Sequence, residues 1–155
     1  GRLYMVAHTE GTNVVRVSER QKWQRQFHCS AAGKVMLAER GVAWLEETSG
    51  GEPPLKLTAH TKVSPAALRE EVRRTRERGY AECIDEAAEG IHAVGVPVRR
   101  ADASLMAALS QSFPSFFVRE GCVAVAERVA RLTTCADALG PVLERALQRA
   151  PSAME

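Results

Sequence analysis

Aromatic residues are scarce in this 155-residue chain, at 5% of the sequence, and neither sign of charge dominates: 21 lysines and arginines face 19 acids, for a net charge of +2. Such a balance lacks the concentrated positive face that neutralises several nucleic-acid phosphates, so direct DNA binding by this chain alone is not expected. No apolar run approaches the roughly 20 residues that cross a bilayer, and the opening GRLYMVAH reads as a strand instead of a signal sequence. The expectation is a cytoplasmic protein with no membrane partner. Cys29, Cys83, Cys122 and Cys135 include no CxxC pair. Cys122 and Cys135, placed on one predicted helix, would stand about 20 Å apart at about 1.5 Å per residue, which discourages a disulfide between them. His8, His28, His60 and His92 show neither HxH nor HExxH spacing, so no metal or cofactor is expected and they read as structural or surface residues.

What is present is enough for a fold. At 45% apolar, a chain of this length forms one domain that removes roughly 70% of its unfolded surface from water without help from metal or disulfide. LYMVAH (3–8) and NVVRVS (13–18), separated by TEGT, predict a hairpin of two antiparallel strands. FHCSAAGKVMLAERG offers Ser30 as an N-cap and Gly41 as a stop, placing a helix at about 30–40. VAWLEETSGG predicts a second short helix ending at Gly50-Gly51, and the two prolines of EPPLKLTAHTK make that stretch a loop. Ser64-Pro65 starts a helix that ends at Gly79.

Beyond Gly79 the pattern changes from helical to extended. Tyr80 to Ile84 predicts a strand, DEAAEG an acidic turn, IHAVGVPV a strand with Ile91, Ala93 and Gly95 on one face, and LMAALSQS (105–112) a third strand. Three successive strands make an antiparallel meander, so the class is α+β and not doubly wound. Val125, Val129, Leu132, Ala136, Leu139, Leu143 and Ala146 recur at alternating steps of four and three. That register runs through Gly140-Pro141 and predicts one helix from about 119 to 149, kinked at Pro141; a break at Gly140 is the alternative. With no internal repeat or linker, residues 1–155 read as a single domain.

The order of these pieces resembles the C-terminal effector-binding domain of the isocitrate-lyase-regulator (IclR) family of bacterial transcription regulators. FHCSAAGKVMLAERG is similar to the family's small-residue turn, Gly-Lys and apolar helix. LTAHTKVSPAALREEVRRTRERGYA resembles its threonine-containing loop, helix and Gly-Tyr-Ala. The two acids, the glycine and the proline-bearing strand of IDEAAEGIHAVGVPV follow, and LMAALSQSFP is similar to its last strand, where Ser-x-Ser is common. The resemblance implies a GAF-like antiparallel sheet flanked by helices, with a long C-terminal helix, whose cupped face holds a small organic effector, often a carboxylic acid or an aromatic metabolite. It implies a homodimer or homotetramer, and operator DNA contacted only through an amino-terminal winged helix-turn-helix domain. Nothing ahead of Leu3 matches that domain, so the chain is expected to be an effector-binding domain cut from a longer regulator.

Candidate site residues follow from both lines of reasoning. Ser110 and Ser112 are two apart on a strand and share one face; they read either as effector contacts, which the resemblance implies, or as solvated serines. The amides of Ala31 and Ala32 open a helix, where free N–H groups seat an anion, and small side chains let a ligand approach or else simply permit close packing. The resemblance adds Cys83, Ile91 and Ala93 to the pocket. Two of these depart from the family pattern: Ala93 stands where some members have a cysteine, and Cys83 where an acid often stands. The less polar pocket points to a larger, partly apolar effector, aromatic or branched. Arg25 is the candidate contact for a ligand's negative charge. Tyr80 is expected in the core, His92 facing away from the pocket, and Trp23 and Trp44 in packing or an interface. The arginine-rich face of the 64–78 helix reads as solvated.

No catalytic residue is expected. A thiol hydrolase would need Cys29 paired with His60 or His92, and no local signature surrounds that cysteine. A GAF-like sensor attached to a different output domain is the other reading.

Overall fold

The computed structural model describes residues 5–12, 17 and 27–149. Residues 5–12 are exposed and carry no regular structure. The strand expected at 3–8 is therefore not formed over 5–8: a β-rich composition makes a strand only on a half-buried, paired surface, and Val6 is 86% exposed. The second strand of the expected hairpin, 13–18, lies outside the described residues except for Val17, as do Trp23 and Arg25.

The helices begin and end where local chemistry directs. Helix α1 (Ala31–Arg40) is capped by Ser30, whose Oγ accepts from Gly33 N at 3.1 Å, and Gly41 closes it by donating to Leu37 O. Helix α2 spans Ala43–Ser49. Helix α3 (Pro65–Arg78) has Ser64 as its cap, Pro65 in its first turn, and Gly79 in the left-handed conformation after its last.

Strands β1 (Ala81–Ile84), β2 (Ile91–Arg99) and β3 (Leu105–Pro114) form an antiparallel sheet in the order β1-β2-β3, as the meander predicted, with β3 running two residues further than expected. The C-terminal segment differs from expectation at its start. A short helix α4 (Ser115–Arg119) comes first, then Gly121 at φ 72° breaks the helical path, and α5 runs Val125–Arg149. Cys122 thus lies in the turn and not on a helix with Cys135.

The break considered at Gly140 does not occur. Helix α5 continues through Pro141, which forgoes one backbone hydrogen bond. Gly140 has a different purpose: a Cβ there would lie 2.4 Å from Arg99 O, so only glycine lets the helix lie this close to the end of β2.

The sheet is covered on both faces. On one, Val96 and Val98 meet Ala136 of α5, with Val129, Leu132, Leu139 and Leu143 around them and Tyr80 packed at the edge beneath the Arg78 guanidinium. His92 shares this face, stacked on Phe113 with Nε2 2.8 Å from Glu82 Oε1, and so faces away from Ala93 as expected. The other face receives α1. Behind α1, Phe27, Leu37, Leu45, Leu68 and Val72 form a second core, and Trp44 meets Phe27 edge-on with 4.8 Å between centroids.

A buried ring of charge joins these parts. Lys34, 2% exposed, donates through Nζ to Glu71 Oε2 of α3 at 2.7 Å, to Glu86 Oε1 at 2.5 Å and to Glu82 O of β1 at 2.9 Å. Lys62, from the loop before α3, reaches Glu71 Oε1 at 3.0 Å and Glu86 Oε1 at 3.2 Å. Lys34, Glu71, Lys62 and Glu86 thus alternate in sign around a closed circuit. Burial alone would raise the Glu71 pKa, but the two lysines outweigh it and hold the carboxyl below its ordinary value. Burial likewise works to lower Lys62, and Glu71 and Glu86 raise it.

The same turn is tied at neighbouring points. Thr58 Oγ1 donates to Asp85 O and Thr61 Oγ1 to Glu86 O, both at 2.7 Å. Asp85 Oδ1 accepts from Gly90 N at 2.9 Å and from Ser115 Oγ at 2.6 Å. Asp85, Glu86 and Gly90 of the acidic turn are therefore structural: the first carboxylate closes the turn and the second anchors it inside.

Removing one partner from such a ring leaves an uncompensated buried charge, so Lys34→Met is expected to lower stability by about 3–5 kcal/mol in denaturant unfolding. A loss within about 0.5 kcal/mol, as for ordinary surface substitutions, would contradict the ring's role. Gly140→Ala offers a contest of signs. In an exposed helix the change gains up to about 1 kcal/mol; here the clash with Arg99 O makes it destabilising by about 1–3 kcal/mol. A rise in melting temperature would contradict the close approach.

Candidate functional site

The face of the sheet turned toward α1 is built from small residues. Cys83 of β1 pairs with Ala93 of β2, which pairs with Ser112 of β3; one step along, Ala81 pairs with Gly95 and Gly95 with Ser110. Strand alternation sets Cys83, Ile91, Ala93, Gly95, Ser110 and Ser112 on one side. Over them sits the first turn of α1. A Cβ on Gly95 would lie 2.9 Å from the carbonyl carbon of Ala31 and 3.2 Å from its Cβ, so the missing side chain admits the helix start. Ala31, Cys83 and Ala93 make a buried apolar cluster, against which half-buried Ala87 packs from the β1–β2 turn.

The expected site residues come together in this way, with one difference in shape. Ala31 and Ala93 are buried in the floor, Ala32 and Ile91 are half-buried, and Ser110 and Ser112 are exposed at the β3 margin. The arrangement is a shelf whose floor lies under α1 and whose β3 margin, at Ser110 and Ser112, is open to solvent. Arg25 lies outside the described residues.

The shelf has directional chemistry. Ser30 Oγ takes the Gly33 N–H and Ser30 O the Lys34 N–H. Among the described residues, the amides of Ala31 and Ala32 are left as donors at the positive end of a ten-residue helix. Two hydroxyls from the neighbouring strand stand on the same face. Backbone N–H groups, hydroxyls and a small apolar floor suit an organic anion with an apolar body.

A larger concavity exists elsewhere. A groove of about 680 Å³ runs between α2 and α3, lined by Val42, Glu46, Arg69, Arg73 and Glu77 among others. Its charges are largely answered within the protein: Arg73 binds both Glu70 and Glu77, and Arg76 donates to Ala38 O. With most of its charged side chains already paired it is the weaker candidate, and the charged pairs on α3 match a solvated face.

The cysteine–histidine arrangement is not assembled. Cys29 is fully buried, and burial first, with Cys83 and Glu86 adding to it, pushes its thiol up to about 12, so it stays protonated near neutral pH. His60 is exposed, and His92 is occupied by Glu82 on the opposite face of the sheet. Among the described residues, no helix is long and apolar enough to cross a membrane.

Sequence reasoning missed Lys34, Glu71, Glu86 and Ala87. Lys34 had a signal, since it shares a helix with buried Val35, Leu37 and Ala38 at spacings that turn it inward. Its two partners lie 37 and 52 residues away, and only the fold brings them together.

The family model described as "Bacterial transcriptional regulator IclR C-terminal" matches residues 1–140. The chain is 38% identical over 85 residues to the HTH-type transcriptional regulator XynR of Escherichia coli, covering 55% of this chain and 34% of XynR. It is 32% identical over 122 residues to KdgR of the same organism, covering 79% of this chain and 46% of KdgR. The chain thus spans less than half the length of either relative. The crystal structure of the KdgR C-terminal domain has the same fold, with a TM-score of 0.61 at 30% identity over 74% of this chain and 69% of that one. The inducer-binding domain of PobR from Acinetobacter, solved as a double mutant with 3-hydroxybenzoic acid, is similar in fold at a TM-score of 0.62 and 23% identity, over 73% of this chain and 64% of that one. A match over residues 1–140, a sheet in meander order and a long closing helix agree: the chain belongs to the family of bacterial IclR transcriptional regulator C-terminal domains.

Proposed function

We propose that this chain is the effector-binding and oligomer-forming domain of an IclR-type regulator, and that its shelf captures a small organic acid without transforming it. The observation that carries the reading is the sheet register, which sets the hydroxyls of Ser110 and Ser112 beside the open start of α1 over a floor of Ala31, Cys83 and Ala93. The carboxylate would take the amides of Ala31 and Ala32 and the two hydroxyls. An apolar body would lie over the floor. The absence of a charged side chain in that floor favours an aromatic or branched acid over a very small keto acid, and the hydroxybenzoic acid held by PobR is of this class.

Binding would favour one arrangement of subunits in a homodimer or homotetramer. A coupling of about 1–3 kcal/mol changes operator affinity roughly five- to 150-fold in an intact regulator. Operator DNA would be contacted by a winged helix-turn-helix domain outside this chain, in keeping with the HTH-type names of the relatives and with this chain's own charge of only +2. The intact protein would work in the cytoplasm, with no enzymatic step.

A thermal-shift screen of 3-hydroxybenzoate, branched carboxylates, pyruvate and glyoxylate tests this. A binding acid at about 100 times its dissociation constant adds about 2.7 kcal/mol. A hydroxyl bonded to a charged group is worth about 1.5–3 kcal/mol. The double variant Ser110→Ala, Ser112→Ala is therefore expected to lose the shift while keeping its own melting temperature, because both side chains are exposed. A full shift in the double variant would place the acid elsewhere, and a preference for glyoxylate or pyruvate would contradict the larger, apolar effector.

A further inference from the structure

We infer that Ala87 is a specificity-determining wall of the shelf and that Lys62 is a residue that helps to position it. The inference rests on the shelf as the effector site, but its structural half is testable without any effector.

Ala87 belongs to the turn between β1 and β2, and it packs against the cluster of Ala31, Cys83 and Ala93 that forms the apolar floor. It therefore covers the floor at the end formed by the β1–β2 turn. The turn itself has little intrinsic rigidity in this sequence, since DEAAEG contains no proline and its tip, Ala88 to Gly90, is exposed.

Its position is imposed from behind. The residue before Ala87 is Glu86, 2% exposed, with its Oε1 shared by Lys34 and Lys62 and its carbonyl held by Thr61. Lys34 has two further partners and is fully inside. Lys62 is the member of the ring whose side chain is 37% exposed, and it sits directly after Thr61 in the loop that grips the turn. Lys62 thus fastens that loop to Glu86 and Glu71 together. Without its ammonium group, the Glu86 carboxylate keeps Lys34 alone, and the turn carrying Ala87 loses one of the ties, beside those from Thr58 and Thr61, that set it against the floor. Supporting residues of this kind set a site's geometry to within about 0.5 Å without touching the ligand.

The test compares Lys62→Met and Lys62→Arg with the parent chain. Methyl-labelled alanine NMR follows the contact of the Ala87 methyl with the Ala31 and Ala93 methyls of the cluster it packs against, and calorimetry follows binding of 3-hydroxybenzoate and of pyruvate. Lys62→Met is expected to lose the methyl contact and to bind 3-hydroxybenzoate about tenfold more weakly. Lys62→Arg keeps the charge and is expected to restore both. Retention of the contact in Lys62→Met would overturn the positioning role. Loss of the contact with unchanged affinity would overturn Ala87 as a wall. A parent chain that binds neither acid would overturn the shelf and the wall with it, while the methyl contact still decides the role of Lys62.

Discussion

Four charges in a buried ring hold the structure to one arrangement. Lys34 belongs to the first turn of α1, Glu71 to α3, Glu86 to the turn after β1, and Lys62 to the loop that precedes α3. Ion pairs of this sort add little net stability over apolar packing, because each charge gives up its hydration on burial. They discriminate strongly between arrangements, since any shift that separates Lys34 from Glu71 or Glu86 strands a charge where water does not reach it. An apolar contact between α1 and the sheet would tolerate sliding. The ring does not, and it sets where the amides of Ala31 and Ala32 point.

Small residues let the helix start lie close on the sheet, beside the exposed serines of β3. Gly95 admits the backbone of Ala31 to the sheet, and Cys83 and Ala93 fill the space below without projecting outward. Larger residues along this line would have buried the helix start under side chains. On the opposite face the demands are reversed: Val96, Val98 and Leu109 pack against α5, and the one glycine there, Gly140, serves to bring helix and strand together. The same sheet is thus solid on one side and shallow on the other.

Much of this is legible in the sequence because it is local. Ser30, Ser64-Pro65, Gly41 and Gly79 mark helix ends through hydrogen bonds made within a few residues, and each does what its chemistry implies. Alternation along IHAVGVPV and LMAALSQS sets the faces, so Ala93 and the two serines fall on the same side as expected. The differences are of two kinds. Periodicity places the start of α5 too early because it does not register the left-handed Gly121. The ring escapes sequence reasoning because pairing between Lys34 and acids 37 and 52 positions away depends on topology, and a lysine and a glutamate read singly look like surface residues. The open form of the shelf is likewise invisible in the sequence, since alternation tells which face a serine takes and not what covers that face.

Amide NMR titration with 3-hydroxybenzoate is the most direct measurement of the central claim, that a helix start held over small residues captures an organic acid. The account predicts that the largest shifts cluster at Ala31, Ala32, Cys83, Ala93, Ser110 and Ser112. Shifts centred instead on Val42, Arg69 and Arg73, in the groove between α2 and α3, would contradict it.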